Sequence, residues 1–346
     1  MRAFFDPAQS AHDPQQFMRY GRIVAPKDLP ERTARFVNAL HALGIPLTTP
    51  DRDHDAARRA IHTDGFLSYL ATAWDRWQAL PDHGPEVWPN TFPYWSGRPE
   101  DRARPDCPAP HIIAQTGWYL GDMSVSMGPH TWTAARASTN TAVAAADAVA
   151  ADRALAYALC RPSGHHARAD RASGFCFLNN TAIAAERLRS TFERVAILDV
   201  DAHHGDGTQQ IFYSRADVLT ISIHADPANY YPFFTGYDGE RGHGDGNGYN
   251  INLPLPHRSN AAAMFTAVDR AATAIDDFKA DALVVALGFD AHARDPIGVL
   301  KLESDDFAGI ATRVKALGVP TLVIQEGGYA IDALSDSLTA FLGALR

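Results

Sequence analysis

The pattern of apolar and polar positions predicts alternating helices and strands from residue 131 onward. Short apolar runs rich in β-branched residues are typical of buried strands, and longer amphipathic or Ala-rich runs are typical of helices. The predicted helices cover 131–151, 180–189, 261–279 and 305–317, and the predicted strands cover 154–160, 195–200, 218–224, 249–253, 282–289 and 319–325. This alternation indicates βαβ units and a mostly parallel sheet, which is an α/β fold.

The first 130 residues are less regular. Pro and Gly are dense between residues 81 and 110, which we interpret as a long loop and not as a linker. The aromatic residues Trp88, Phe92, Tyr94 and Trp95 lie within this loop. Two interpretations stay open: a flap that covers the core, or a subunit interface or pocket rim, where aromatic side chains are enriched.

Composition and charge limit the classes of partner and the cellular location that we expect. Apolar residues at 46% and charged residues at 21% are ordinary for a soluble globular protein of 346 residues. The formal charge of −9 argues against nucleic acid and is compatible with a cationic substrate. We expect no membrane partner, because no run approaches the roughly 20 apolar residues of a membrane helix and the N-terminus does not resemble a signal peptide. Cys107, Cys160 and Cys176 fit no disulfide framework or zinc spacing, which predicts a cytoplasmic protein.

Five of the predicted strands end in polar loops that contain reactive side chains. In α/β sheets such loops gather at the carboxyl edge of the strands, where ligands bind. We therefore expect one shared site. The five loops are Arg161-Pro-Ser-Gly164-His165-His166, Asp199-Val-Asp201-Ala-His203-His204-Gly-Asp206, Ser222-Ile-His224-Ala-Asp226, Gly288-Phe-Asp290-Ala-His292 and Glu326-Gly-Gly-Tyr329.

The segment that begins at Asp199 predicts a metal. In an extended segment Asp199, Asp201 and His203 share one side. Two carboxylates and an imidazole on one side require a cation or a proton network. Asp201, His203 and Asp290 together form a ligand set that suits Zn²⁺, and three protein ligands leave a position open for water, as in catalytic zinc sites.

The remaining reactive side chains are suited to proton transfer. His165 and His166 are consecutive and do not easily ligate one ion together, so we interpret them as proton handlers. Asp199 and Asp206 are available to fix their tautomers. Tyr329, on a Gly-Gly turn, can donate its hydroxyl to a developing oxyanion. Water activation, proton relay and an oxyanion donor together describe the hydrolysis of an amide.

These motifs resemble those of the histone deacetylase superfamily and, within it, the bacterial acetylpolyamine amidohydrolases. The resemblance runs along the whole chain and includes Thr72-Ala-Trp-Asp-Arg-Trp77. It implies a single arginase–deacetylase domain over residues 1–346, with an eight-stranded parallel sheet flanked by helices. It also implies an enzyme that is a zinc-dependent deacetylase of linear amides.

The resemblance also implies roles for individual residues. It implies zinc on Asp201, His203 and Asp290, pairing of His165 with Asp199 and of His166 with Asp206, and an oxyanion donor at Tyr329. A tunnel for an aliphatic chain would be lined by Gly174, Phe175 and Tyr231. A monovalent cation, K⁺ or Na⁺, would lie near Asp199, Asp201, His203 and Ser222. The loop over 82–100 would close a homodimer over the tunnel mouth.

The chain departs from the polyamine-specific pattern at the tunnel mouth. Members of that branch carry glutamates that meet the distant ammonium group, and Ile113 and Ser124 stand at those two places here. Asp122 is the nearby acidic residue and is our candidate for that contact. Asp206 stands where many relatives have Asn, which is expected to change the basicity of His166.

We therefore predict an amidohydrolase of small acylated amines, with acetylputrescine or acetylcadaverine as the expected substrates. A deacylase of acyl-lysine side chains and a hydrolase of other small amides stay open. An arginase-like di-manganese site is disfavoured, because Asp290-Ala-His292 lacks the further carboxylate that a second ion needs. A binding module without activity is disfavoured because Tyr329 and the paired histidines are present.

Overall fold

An eight-stranded parallel sheet forms the centre of the fold in the computed structural model, which describes residues 1–93 and 103–346. The sheet order is β4-β1-β5-β10-β9-β6-β7-β8, and β2 and β3 form a separate antiparallel hairpin. The strands are β1 (Arg2–Phe4), β2 (Phe17–Arg19), β3 (Arg22–Val24), β4 (Leu47–Thr48), β5 (Ala156–Ala158), β6 (Val195–Asp199), β7 (Val218–Ala225), β8 (Asn250–Leu255), β9 (Ala282–Leu287) and β10 (Thr321–Gln325).

Helices cover both faces of this sheet. They are α1 (Glu31–Ala42), α2 (Asp55–Ile61), α3 (Asp64–Gln78), α4 (Ile112–Tyr119), α5 (Thr131–Asp152), α6 (Asn180–Arg189), α7 (Asp206–Phe212), α8 (Ala261–Phe278), α9 (Asp306–Ala316) and α10 (Ile331–Leu345). None of the helices in the described ranges has the length and apolar character needed to cross a bilayer.

The strands are apolar at consecutive positions because they are buried on both faces. Within β6, Val195 and Ile197 belong to one hydrophobic cluster, and Ala196 and Leu198 belong to the other. The first cluster contains residues of α3, α5 and α6, and the second contains residues of α1, α8, α9 and α10. Because successive side chains point to opposite faces of a sheet, one strand supplies both cores.

The predicted α/β class and eight-stranded parallel sheet are confirmed. The helix predicted over 180–189 has those bounds, and the strand predicted over 154–160 is the shorter Ala156–Ala158. The first two strands along the sheet edge, Arg2–Phe4 and Leu47–Thr48, were missed. At three and two residues they are too short to show a period in the sequence.

The topology gathers the five polar loops at one edge. The neighbouring strands β5, β10, β9 and β6 lie at the middle of the sheet, and β7 is next to β6. All these pairs are parallel, so their carboxyl ends lie at the same edge. The loops that follow these strands therefore meet.

We predict that Leu338→Ala lowers the free energy of unfolding by about 2–5 kcal/mol, the cost of truncating a buried leucine. Leu338 is fully buried on α10. The measurement is urea denaturation. The matched control is Asp336→Ala on the exposed face of the same helix, which is expected to change the free energy by less than about 0.5 kcal/mol. An equal, small effect of both substitutions would contradict this assignment of the core.

Candidate functional site

Asp201, His203 and Asp290 come together as a buried cluster of potential metal ligands. Their ligand atoms all lie within 4.8 Å of one another. His203 Nδ1 is 2.8 Å from Asp290 Oδ2 and 3.2 Å from Asp201 Oδ1. The two carboxylates are completely buried. The structure therefore brings the three predicted ligands to a common point.

Backbone donors fix the orientation of both carboxylates. The Gly327 N–H donates to Asp201 Oδ2 at 2.8 Å, and the Ala202 N–H donates to Asp290 Oδ1 at 2.7 Å. The second oxygen of each carboxylate faces His203. Two oxygens and one nitrogen held in this way fit a divalent cation such as zinc and leave further coordination positions open.

The electrostatics of the cluster also favour a cation. Burial, followed by the negative charge of Asp201, raises the pKa of Asp290 to about 7. Burial alone would lower the pKa of His203, but Asp290 and Asp201 raise it to about 9. A divalent cation among the three ligand atoms would offset the same negative charge.

Each of the two adjacent histidines has its own carboxylate. His165 Nδ1–H donates to Asp199 Oδ2 at 2.9 Å, and His166 Nδ1–H donates to Asp206 Oδ1 at 2.8 Å. The two predicted pairings are present in the structure. Because each Nδ1 carries the donated proton, each Nε2 is left for proton exchange.

The two imidazoles differ in basicity. Burial by itself would lower the pKa of His165, but Asp199 and Asp201 raise it well above its usual value. Burial and then the neighbouring His165 lower the pKa of His166 to about 4, against the opposing effect of Asp206. His165 therefore favours the charged form, and His166 favours the neutral form.

Arg168 pairs with the carboxylate that orients His166, a contact that the sequence reasoning missed. Its Nη2 and Nε donate to Asp206 Oδ2 at 2.9 and 3.1 Å. Burial alone would raise the pKa of Asp206, but Arg168 and then His166 hold it well below its usual range. The available signal was the position of Arg168, two residues after the His-His pair.

Tyr329 lies beside the cluster of potential metal ligands as a protonated phenol. Gly327, two residues earlier, donates its N–H to Asp201, and the Tyr329 ring lies under the guanidinium of Arg32 at 4.8 Å. Burial raises the pKa of Tyr329 well above its usual value. The phenol therefore keeps its proton and can donate a hydrogen bond.

The predicted tunnel residues flank these groups. The Phe175 ring is 5.7 Å from the Tyr329 ring, and the Tyr231 ring is 5.0 Å from that of His166. A side chain at Gly174 would clash, because a Cβ there would lie 2.3 Å from His166 Cδ2.

Asp122 links two of the predicted tunnel residues, Tyr231 and Gly174. Its Oδ2 accepts a hydrogen bond from the Tyr231 hydroxyl at 2.6 Å and one from the Gly174 N–H at 3.3 Å. Its Oδ1 accepts the Ser124 N–H at 2.8 Å and the Ser124 hydroxyl. Ser124 is thus part of this network, whereas Ile113 is half-buried on α4. The carboxylate brings a negative charge close to Phe175.

Two other expectations, the monovalent cation and the loop that closes a homodimer, stay predictions. Asp199 and Ser222, predicted near a monovalent cation, are register partners on β6 and β7. The Ser222 hydroxyl is 2.8 Å from His224 Nδ1.

In the loop predicted over 82–100, Trp88 Nε1–H donates to Met123 O at 3.2 Å. Residues 94–100, with Tyr94 and Trp95, lie outside the described residues.

A second group, His165, Cys176 and Glu326, also has ligand atoms within 4.8 Å of one another. The Glu326 oxygens accept hydrogen bonds from the Gly164 and His165 N–H groups and from the Thr181 hydroxyl. Burial raises the pKa of the Cys176 thiol well above its usual value. We therefore interpret this group as a hydrogen-bond network that stabilises the structure.

The chain is similar to proteins of known family. The model of the histone deacetylase domain matches residues 27–345. The chain belongs to the histone deacetylase family. This membership confirms the predicted enzyme class, a deacetylase-type amidohydrolase.

The protein aligns with curated relatives over most of its length. It is 45% identical to the acetylpolyamine amidohydrolase of Burkholderia pseudomallei over 99% of this chain and 98% of the relative. It is 38% identical to the acetylpolyamine amidohydrolase of Mycoplana ramosa over 96% of this chain and 95% of that relative. A crystal structure of the B. pseudomallei acetylpolyamine aminohydrolase matches with a TM-score of 0.93, and the match covers 100% of this chain and 98% of that one.

A site with three protein ligands is expected to bind about one metal ion per chain. We predict that Asp290→Ala lowers this number far below one. The substitution leaves only Asp201 and His203 to hold the ion. The measurement is atomic absorption after loading with zinc and dialysis. The matched control is Asp226→Ala, since Asp226 accepts a hydrogen bond within its own turn. A variant that keeps one ion per chain would contradict the assignment of Asp290 as a ligand.

Proposed function

We propose that the protein is a zinc-dependent amidohydrolase that removes acetyl groups from small acetylated amines, in particular acetylpolyamines such as acetylputrescine and acetylcadaverine. The observation that carries this proposal is the 45% identity, over almost the whole of both chains, to an acetylpolyamine amidohydrolase. The buried cluster of Asp201, His203 and Asp290 beside two His–Asp pairs supports it.

Zinc is the metal that we assign to the cluster. The donor set of two carboxylate oxygens and one imidazole nitrogen suits it. When bound, zinc supplies a Lewis acid that polarises an amide carbonyl and acidifies water. Asp201, His203 and Asp290 would hold it, with Gly327 and Ala202 fixing the two carboxylates.

The two histidines then have different roles. His166 is neutral because its pKa is lowered by burial and by His165, so its Nε2 accepts a proton from the attacking water and later passes a proton to the leaving amine. His165 keeps a positive charge that stabilises the negative charge developing on the substrate. Asp206 and Asp199 hold the two rings in the required tautomers.

Tyr329 donates its hydroxyl to the oxygen of the substrate carbonyl as negative charge develops there. The support for this role is its high pKa, which keeps the proton on the phenol, and its position two residues after Gly327, which donates its N–H to Asp201. The packing of its ring against Phe175 and Arg32 limits its movement.

The substrate class depends on the surroundings of Asp122. Its negative charge near Phe175 and Tyr231, with the chain's formal charge of −9, supports a cationic amine. A hydrolase of acyl-lysine or of other small amides is the second candidate. The observation that favours it is the presence of Ile113 and Ser124 where glutamates are expected, with Ser124 bound to Asp122.

Other parts of the proposal follow from the family resemblance. They are a homodimer closed by the loop over 82–100, a K⁺ or Na⁺ ion near Asp199, Asp201, His203 and Ser222, and a cytoplasmic location. The exposed Phe92 in this loop and the exposed Phe234, three residues beyond Tyr231, are apolar surface of the kind that subunit contacts bury.

We expect the zinc-loaded protein to prefer acetylputrescine and acetylcadaverine over an acetyl-lysine peptide and over N-pentylacetamide. The last compound matches acetylcadaverine without its free amine, so the comparison isolates the ammonium contact. A hydrogen bond to a charged group contributes about 1.5–3 kcal/mol, which corresponds to a difference in kcat/KM of roughly tenfold or more. The measurement is steady-state turnover by release of acetate. A preference for the peptide would contradict the polyamine proposal and favour the second candidate.

We expect Tyr329→Phe to lower kcat by about 10²–10³-fold with little change in KM, the usual effect of removing one oxyanion donor. The measurement is steady-state kinetics on whichever of the compounds compared above is turned over best. The matched control is Tyr69→Phe, which also removes a buried hydroxyl, one bound to Thr116 within the hydrophobic cluster of α3 and α4. Unchanged turnover of the Tyr329 variant would remove this residue from the mechanism.

A further inference from the structure

Asp295 connects two loops of the site through backbone hydrogen bonds. It lies five residues after Asp290, on the loop that follows β9, and is buried. Its Oδ1 accepts the N–H groups of Ile297 and Gly298, both at 3.0 Å. Its Oδ2 accepts the N–H groups of Tyr329 at 2.7 Å and Ala330 at 3.2 Å, on the loop that follows β10.

We propose that Asp295 is a positioning residue that acts through Tyr329, by holding the backbone of that tyrosine where its hydroxyl can reach the substrate carbonyl. The inference rests on the role of Tyr329 in the proposed function. Asp295 itself has no assigned contact with substrate or metal.

Tyr329 needs such a support because of the residues before it. It follows Gly327 and Gly328, and Gly328 has a φ of +117°, in the region that favours glycine. A Gly-Gly segment is conformationally permissive, so the residues before Tyr329 do not fix its backbone. The carboxylate of Asp295 fixes it from the neighbouring loop with hydrogen bonds to a charged acceptor, which are the stronger kind.

A second route from Asp295 to the site also exists. Within the turn that Asp295 closes, the Ile297 carbonyl accepts the Tyr230 hydroxyl at 2.8 Å. The Tyr230 ring stacks on His203, with centroids 4.5 Å apart and planes at 15°. Asp295 could therefore act on the metal ligand His203 and not on Tyr329, and the experiment has to separate the two routes.

The test variant is Asp295→Asn. Its single amide oxygen can accept from one pair of N–H groups, whereas its NH₂ group cannot accept from the other pair. Asn closes such local turns with its amide oxygen, so we expect this oxygen to keep Ile297 and Gly298 and the acceptor for Tyr329 to be lost. We expect kcat to fall about ten- to a hundredfold, the scale of a displaced reacting group, with KM and bound zinc unchanged.

A double-mutant cycle with Tyr329→Phe identifies the route, because residues that act as a unit are not additive. If Asp295 acts through the Tyr329 hydroxyl, Asp295→Asn has no further effect on kcat in the Tyr329→Phe protein. A wild-type kcat for Asp295→Asn, or an equal fall in both backgrounds, would overturn the inference. Loss of bound zinc in Asp295→Asn would also overturn it and indicate the route through His203.

Two further variants keep the test decisive. Asp281→Asn is the matched control and is expected to leave kcat unchanged, because the Asp281 carboxylate also accepts a backbone N–H from another loop, that of Arg194 at 2.8 Å, but lies before β9 at the opposite edge of the sheet. If Asp295→Asn does not fold, Asp295→Ser replaces it, since the serine hydroxyl can close the Ile297 turn but is too short to reach Tyr329.

The outcomes also distinguish a failure of the proposed function from a failure of the inference about Asp295. An active Tyr329→Phe protein refutes the role of Tyr329, whereas an impaired Tyr329→Phe protein with an unaffected Asp295→Asn protein refutes only the inference about Asp295.

Discussion

The burial of negative charge is the constraint on which this site depends. Asp201, Asp290 and Glu326 are completely buried, and a buried carboxylate is tolerated only when donors or a cation satisfy it. Backbone N–H groups at the ends of the strands donate to both oxygens of Asp201, to one oxygen of Asp290 and to one oxygen of Glu326. Asp201 Oδ1 and Asp290 Oδ2, which face the His203 ring, are the oxygens that would hold a divalent cation. The same constraint therefore stabilises the loops and defines the candidate metal centre.

Glycines make room for these carboxylates. A Cβ at Gly288 would lie 2.0 Å from Asp201 Oδ2, and one at Gly327 would lie 2.5 Å from the same atom and 2.6 Å from Asp290 Oδ2. Backbone can therefore approach the carboxylates closely enough to donate hydrogen bonds. The cost is a permissive backbone before Tyr329, and groups from other parts of the chain compensate for it: Arg32 donates to the Gly328 carbonyl at 2.6 Å, and Asp295 accepts from Tyr329 N–H.

The sequence by itself determined the fold class and predicted which residues make up the candidate site. Buried strands such as β6 and β9 are apolar at consecutive positions, and the reactive residues follow directly after them, so both features are local patterns along the chain. The pairings of His165 with Asp199 and of His166 with Asp206 followed from the family resemblance. The edge strands β1 and β4 were not predictable, because two or three residues carry no periodic signal.

Only the tertiary structure decided which residues support the reactive ones. Arg32 comes from the first helix and is separated by almost 300 residues from the carbonyl groups of Glu326 and Gly328 that it binds. Arg168 and Asp295 lie within or beside recognised motifs, yet their acceptor and donor partners are on other loops. Asp122 binds Tyr231 across 109 positions of sequence. The physical reason is that a hydrogen bond requires two atoms within about 3 Å of each other, and spacing along the chain does not specify that distance for residues on different strands.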